Sequence, residues 1–227
     1  MKKTIIFICI CVFSLFVFSQ KIEDKLNNKK LLQLIENKYN KNGVNRYGSW
    51  LKLLENSQSA SEWSQLNTVN MFFNEEIKYY EDIDFWNKKD YWASPIETIG
   101  RGGGDCEDYA IAKYFSLLAL GFPEDKLRLM YVRQLTVDVP HMVLIYLENN
   151  DSPPLILDNY EHKILPATKR PDLKPIYSFN GHGLWLSKAR GIGKKVRKQH
   201  GLKSWQDMIE RIEVDINVSN GEIKIEE

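Results

Sequence analysis

Gly102-Gly103-Gly104-Asp105-Cys106-Glu107-Asp108-Tyr109-Ala110-Ile111-Ala112-Lys113-Tyr114 is the stretch that decides the fold. A glycine run, read as a flexible hinge, delivers one cysteine into an acidic triplet at the head of a helix. Asp105 suits the N-cap and places Cys106 at the first helical position. Ala110, Ile111, Tyr114, Leu117 and Leu118 recur at helical spacing, which predicts a face packed into the core. Gly121 fits the position just past the helix, and Pro123 blocks its continuation. Unpaired N–H groups and the positive end of the helix dipole favour a thiolate at such a position. Asp105, Glu107 and Asp108 oppose it, because three formal negative charges raise the pKa of a neighbouring thiol.

Upstream of this stretch the pattern is helical. Leu31, Leu32, Leu34 and Ile35 mark a short helix, and Trp50, Leu51, Leu53 and Leu54 a second one beginning near Asn45. A third starts at Ser61, a good N-cap, and carries Trp63, Leu66, Val69, Met71 and Phe72. Residues 74–100 are aromatic and acidic, and Pro95 argues against a continuous helix, so a loop-rich segment is expected there. Its aromatics form either a small core beneath a long loop or the wall of a substrate groove.

Downstream the period shortens. Residues 127–132, extendable to Leu135, then 141–147 and 155–160 read as strands. The turn-rich Asn149-Asn150-Asp151-Ser152-Pro153-Pro154 joins the last two into an antiparallel hairpin. Residues 176–179 and 184–186 add strand material around Gly181 and Gly183. Helices first and a mostly antiparallel sheet afterwards give an α+β domain. From Lys188 the chain carries Arg190, Lys194, Lys195, Arg197, Lys198 and Lys203 between glycines, and reads as a solvated basic stretch. A helix over 204–214 follows, and Asn220-Gly221 is expected to close a terminal hairpin between 216–218 and 223–225.

The beginning of the chain predicts export. Lys2 and Lys3 precede an apolar run over 5–18, and Val17-Phe18-Ser19 suits cleavage before Gln20. Residues 1–19 therefore read as a signal peptide, and 20–227 as one exported domain of ordinary globular composition. The whole chain has 31 basic and 30 acidic residues; without Lys2 and Lys3 there are 29 against 30. That balance offers nothing to a nucleic acid backbone. Of three cysteines, Cys9 and Cys11 lie in the leader, so Cys106 has no disulfide partner in the mature chain.

A nucleophilic thiol needs a base. Among His141, His162, His182 and His200, His141 stands out because it opens an apolar strand directly after Pro140. The predicted hairpin brings it opposite Asp158, on the same face, the acid that ends the apolar run 155–157. In the order Cys106, His141, Asp158, the thiol attacks a carbonyl, the imidazole takes and returns the proton, and the carboxylate orients the imidazole. The Cys106 N–H, at the helix start, is a natural oxyanion donor. Two roles stay open for the acids. They are helix-start residues without metal, or Asp105 and Glu107 hold a hard divalent cation that offsets their charge. The spacing is not that of an EF-hand, and no Gly-Lys-Ser/Thr follows the glycines to make a phosphate loop.

With these residues in place, the sequence resembles the bacterial transglutaminase-like cysteine proteinase family, the LapG-type periplasmic proteases that clip large surface adhesins. The resemblance runs from Tyr47 to Trp185. It rests on Val69-Asn70 with Asn74, Asp90-Tyr91-Trp92-Ala93-Ser94-Pro95, Gly104-Asp105-Cys106-Glu107-Asp108 and Ala110-Ile111-Ala112-Lys113-Tyr114. His141-Met142-Val143-Leu144, Leu157-Asp158-Asn159 and Tyr177-Ser178-Phe179-Asn180 continue it. It implies a papain-like core with Cys106, His141 and Asp158 as the triad, and calcium at Asp105 and Glu107, with Asp108 a weaker third. It also implies a large repeat adhesin as substrate, cut at a dialanine-containing site near its N-terminus, and an inner-membrane cyclic di-GMP receptor as inhibitor. The basic segment over 188–227 lies beyond the best-matching region. Two other functions use the same residues: a transglutaminase-type acyltransferase, and an inert calcium-binding module.

Overall fold

A computed structural model describes residues 28–149, 152–188, 191–197 and 201–220. The expected leader and the second half of the expected terminal hairpin lie outside these residues. Among the described residues no helix is long and apolar enough to cross a membrane.

Helix α1 (Lys29–Ser57) joins the two helices expected at the start of the chain across a kink at Asn40. Asn40 has φ 60°, and its side chain accepts the Asn42 N–H at 2.8 Å, so it caps the second half while breaking the first. Helix α2 (Glu62–Glu76) begins at Ser61, whose hydroxyl accepts the Ser64 N–H. A short strand β1 (Lys78–Tyr79) and one turn of helix, α3 (Asp82–Phe85), follow.

The next element corrects the sequence reading. Pro95 does not mark a loop; it opens helix α4 (Pro95–Arg101). Proline is well placed at a first helical position, where its missing N–H would be unpaired anyway. Ser94 accepts from the Glu97 N–H while Glu97 accepts from the Ser94 N–H, a complete capping box. Gly102 ends α4 at φ 79°, which a side chain disfavours, and β2 (Gly103–Gly104) then pairs in parallel with β1.

Helix α5 (Cys106–Ala119) is the centre of the molecule. One buried face was expected, but both sides are covered, because α2 and α4 pack on one flank and the sheet on the other. Tyr109, Ala110, Ile111, Ala112, Lys113 and Tyr114 are all buried in consequence. Gly121, at φ 90°, ends the helix: its N–H reaches Leu118 O and that of Phe122 reaches Leu117 O.

Among the described residues, seven strands form one antiparallel sheet in the order β6-β5-β4-β3-β7-β8-β9. They are β3 (Leu127–Gln134), β4 (Val139–Tyr146), β5 (Leu155–Leu157), β6 (Leu165–Pro166), β7 (Leu173–Asn180), β8 (Gly183–Lys188) and β9 (Gly191–Arg197). The main core joins one sheet face, through Leu129, Leu144, Leu157 and Phe179, to the helices. A smaller cluster of Met130, Val132, Val143, Ile145, Ile156 and Leu173 lies on the other face, with Ala167 packed against it.

The basic segment contributes two elements to the fold. Its first part is the edge strand β9, and the chain returns as helix α6 (Lys203–Asn220) against α1. Residues 216–218 are helical, so the first strand of the expected hairpin is absent. Trp205, Met208, Asp215 and Ser219 are buried at near-helical intervals, and this periodicity outweighs the turn signal of Asn220-Gly221.

Candidate active site

Cys106 sits at the first position of α5, half-buried on the floor of a cleft of roughly 660 Å³. Tyr79, Trp92, Tyr131 and Tyr177 wall this cleft, and His141 and Met142 face it from β4. Of the two roles considered for the 74–100 aromatics, both occur. Tyr80 stacks on Phe85 at 4.7 Å in a small cluster capped by Arg101, while Tyr79 and Trp92 form cleft wall.

His141 Nε2 lies 2.8 Å from Asp158 Oδ1, both groups buried. The expected register is off by two residues. Leu144 pairs with Leu157 and Tyr146 with Leu155, so continuing the ladder sets Asp158 opposite Val143, diagonal to His141. A two-residue shift keeps side chains on the same face, and the imidazole bridges the diagonal. The ladder stops at Leu157, and the Met142 N–H reaches the Cys106 sulfur instead. The short β5 thus leaves the β4 edge open where the cysteine docks.

Burial alone would raise the Asp158 pKa. Hydrogen bonds and charge from His141, the Tyr160 N–H at 3.0 Å and Arg170 outweigh it and hold the carboxyl at about 2. Asp158 is therefore an anion at any physiological pH. Arg170 Nη2 donates to Asp158 Oδ2 at 2.8 Å and to Asp172 Oδ2 at 2.7 Å. Sequence reasoning missed Arg170, which sits in the unpatterned run Lys169-Arg170-Pro171-Asp172 with no periodicity to single it out. The other histidines stand apart: His162 lends its carbonyl to Asn70, and His182 pairs with Glu124, while His200 is outside the described residues.

Acids crowd the other side of the thiol. Asp105 caps α5 by backbone conformation alone, without a side-chain cap bond. Carboxylate oxygens of Asp82, Asp105 and Asp108 lie within 4.8 Å of one another, as do those of Asp82, Asp90 and Glu107. Asp82 Oδ1, Asp105 Oδ1 and Asp108 Oδ2 are buried without a hydrogen-bond partner among the described residues. Burial, then the charges of Glu107, Asp108 and Asp82, push Asp105 up to about 11. Burial pushes Asp82 up to about 6 and Asp108 well above the usual carboxylate range. Three buried carboxylates that converge in one place, each with an oxygen lacking a partner, fit a hard cation, which takes six to eight oxygen ligands. Asp105, one of the two expected ligands, belongs to this group with Asp108 and Asp82, while Glu107, the other, groups with Asp82 and Asp90. Asp82 is distant in sequence and is brought in by α3.

The Cys106 thiol donates to Glu107 Oε2 at 3.0 Å. Burial, and after it the charges of Glu107 and Asp105, raise its pKa well above that of a free thiol. The glycine run is closely packed rather than hinge-like. A Cβ on Gly104 would come within 2.4 Å of Asp108 Oδ2, and one on Gly103 within 2.6 Å of Phe85.

The family model of the bacterial transglutaminase-like cysteine proteinases matches residues 49–173. The chain belongs to this family. Among solved structures it is similar to calcium-bound Legionella pneumophila LapG, with 43% identity and a TM-score of 0.69, covering 80% of this chain and 97% of that one. EGTA-treated LapG from the same organism matches at 42% identity and TM-score 0.69, covering 81% and 96%. No curated protein gives a match. The α+β, papain-like architecture that the resemblance implied is the architecture of this proteinase family.

Proposed function

We propose that this family member is an exported, calcium-dependent cysteine endopeptidase. Its substrate is a large repeat adhesin, cut near the N-terminus to control biofilm attachment. In this reading it works in the periplasm, and an inner-membrane cyclic di-GMP receptor holds it inactive. The observation that carries the catalytic part is the 2.8 Å bond between His141 Nε2 and Asp158 Oδ1, facing the cleft that holds Cys106.

Asp158, an anion, accepts the Nε2 proton and fixes the tautomer, leaving the Nδ1 lone pair to receive a proton. The Cys106 sulfur attacks the scissile carbonyl carbon as His141 takes the thiol proton. His141 then gives that proton to the departing amine, and water hydrolyses the thioester. The Cys106 N–H has no acceptor within its own helix and faces the developing oxyanion. Asp82, Asp105, Glu107 and Asp108 are the residues that would hold calcium. Bound there, calcium supplies positive charge that offsets the carboxylates raising the thiol pKa. The similarity to LapG, whose structures include calcium-bound and EGTA-treated forms, supports calcium as the ion.

The test is cleavage of an N-terminal fragment of a repeat adhesin from the same genome, in calcium and in EGTA, followed by electrophoresis. Cleavage in calcium, lost in EGTA and in Cys106→Ala, is expected. Cleavage by folded Cys106→Ala overturns the catalytic assignment, and full cleavage in EGTA overturns the calcium one. An added amine appearing in the product marks acyl transfer instead of hydrolysis.

A further inference from the structure

Lys113 lies on the same face of α5 as Cys106, seven residues and about 10 Å further along the axis. Its side chain is fully buried, yet among the described residues no carboxylate hydrogen-bonds it. Its ammonium donates to two neutral groups on α2, Asn70 Oδ1 at 2.8 Å and Asn74 Oδ1 at 2.7 Å. Burial brings its pKa down to about 7, with Asp158 pulling the other way. A cation buried without a hydrogen-bonded carboxylate is costly.

What it directs is visible one bond further on. Asn74 Nδ2 donates to the Asp158 carbonyl at 2.8 Å, and Asn70 Nδ2 to the His162 carbonyl at 2.7 Å. The two asparagines therefore hold both ends of the turn that follows β5. A carboxamide is nearly symmetric in shape, and either end can point inward. An ammonium has donors only, so it admits the oxygens and turns both NH2 groups outward to the carbonyls.

We propose that Lys113 is a positioning residue for proteolysis: by fixing the orientation of Asn70 and Asn74 it sets the turn that presents Asp158 to His141. This rests on the reading of Cys106, His141 and Asp158 as the catalytic groups. One helix would then supply both the nucleophile and, two turns on, the group that places the distal acid. Lys113 touches no substrate, so it acts on the chemical step and not on substrate binding.

The experiment measures alkylation of Cys106 by iodoacetamide across a pH series, with calcium present, read on the Cys106 peptide by mass spectrometry. Melting temperatures are recorded in parallel. Asn74→Asp keeps a partner for Lys113, indeed a charged one, but removes the donor to the Asp158 carbonyl. It should melt no lower than wild type, yet alkylate about tenfold to a hundredfold more slowly, the scale set by a misplaced catalytic group. Lys113→Met removes the director while filling its volume, and should show the same slowing whether or not its melting point moves. Wild-type alkylation by either folded variant overturns the proposal. His141→Ala separates the two levels. If it alkylates as wild type does, the underlying triad reading fails; if it is slow while Asn74→Asp is not, only the role of Lys113 fails.

Discussion

Arg170 grips the Asp158 oxygen that His141 leaves free. Nη2 sits 2.8 Å from Oδ2, and both side chains are almost entirely buried. The carboxylate is thus clamped at both oxygens, by an imidazole on the cleft side and a guanidinium on the other. Breaking a buried pair by removing one partner costs about 3–5 kcal/mol, because the remaining charge stays desolvated. Arg170→Met should lose stability on that scale and also lower kcat, as Asp158 gains freedom to leave His141.

The same variant should respond to acid differently. Asp158 has a folded pKa of about 2, below the roughly 3.9 of a free aspartate. Its contribution is present above the unfolded value and is lost as pH falls towards the folded one. Without Arg170 the folded pKa rises and the contribution shrinks. Acid unfolding followed by circular dichroism should therefore occur at higher pH in Arg170→Met than in wild type.

Calcium should stabilise the protein more at neutral than at acidic pH. Asp82, raised to about 6, and Asp105, raised to about 11, favour the folded state only while protonated. Their contribution is complete below the ordinary carboxylate pKa and is lost as pH rises through the folded values. Melting temperature in EGTA should accordingly fall between about pH 4 and 6 as Asp82 ionises. Calcium at a hundred times its Kd should restore about 2.7 kcal/mol. A calcium effect independent of pH would remove the acidic cluster as its site.

Gly104→Ala tests the packing of the glycine run. The new methyl would collide with the Asp108 carboxylate, and overpacking of this kind costs about 1–3 kcal/mol. Calcium titration by calorimetry should show weakened binding as Asp108 is pushed aside. An unaltered affinity would mean that Asp108 is not a ligand.

Trp205→Ala tests whether the C-terminal helix belongs to the domain. Trp205 packs on Tyr114, Phe115 and Phe179, joining α6 to α5 and β7. Truncating a buried tryptophan costs about 3–5 kcal/mol, so melting should drop on the order of 10 °C. An unchanged melting point would make α6 an appendage.

Most of the fold was legible because its signals are local. Ser61, Asp105, Gly121 and Pro123 announce helix ends through their own backbone chemistry, and the apolar runs from Leu127 onward announce strands. The errors came where one local signal hid another. Pro95 taken alone signals a break, whereas the Ser94–Glu97 capping box around it makes it a helix start, and Asn220-Gly221 outshines a helical period that continues to Ser219. In the site, His141 and Asp158 could be paired from strand periodicity, since a register error of two leaves the face unchanged. Arg170 and Asp82 could not. Each arrives through a long-range fold contact, and neither carries a pattern in its own neighbourhood.

The brevity of β5 has one more result. A strand that ends at Leu157 leaves the first half of β4 with an unpaired edge, and unpaired edges recruit foreign strands. Here the sulfur of Cys106 occupies the Met142 N–H, where a continued β5 would have set Asn159. Cys106 therefore also plugs a gap in a ladder. Lengthening β5 would evict it, so the protein cannot close its own sheet there and keep Cys106 in place.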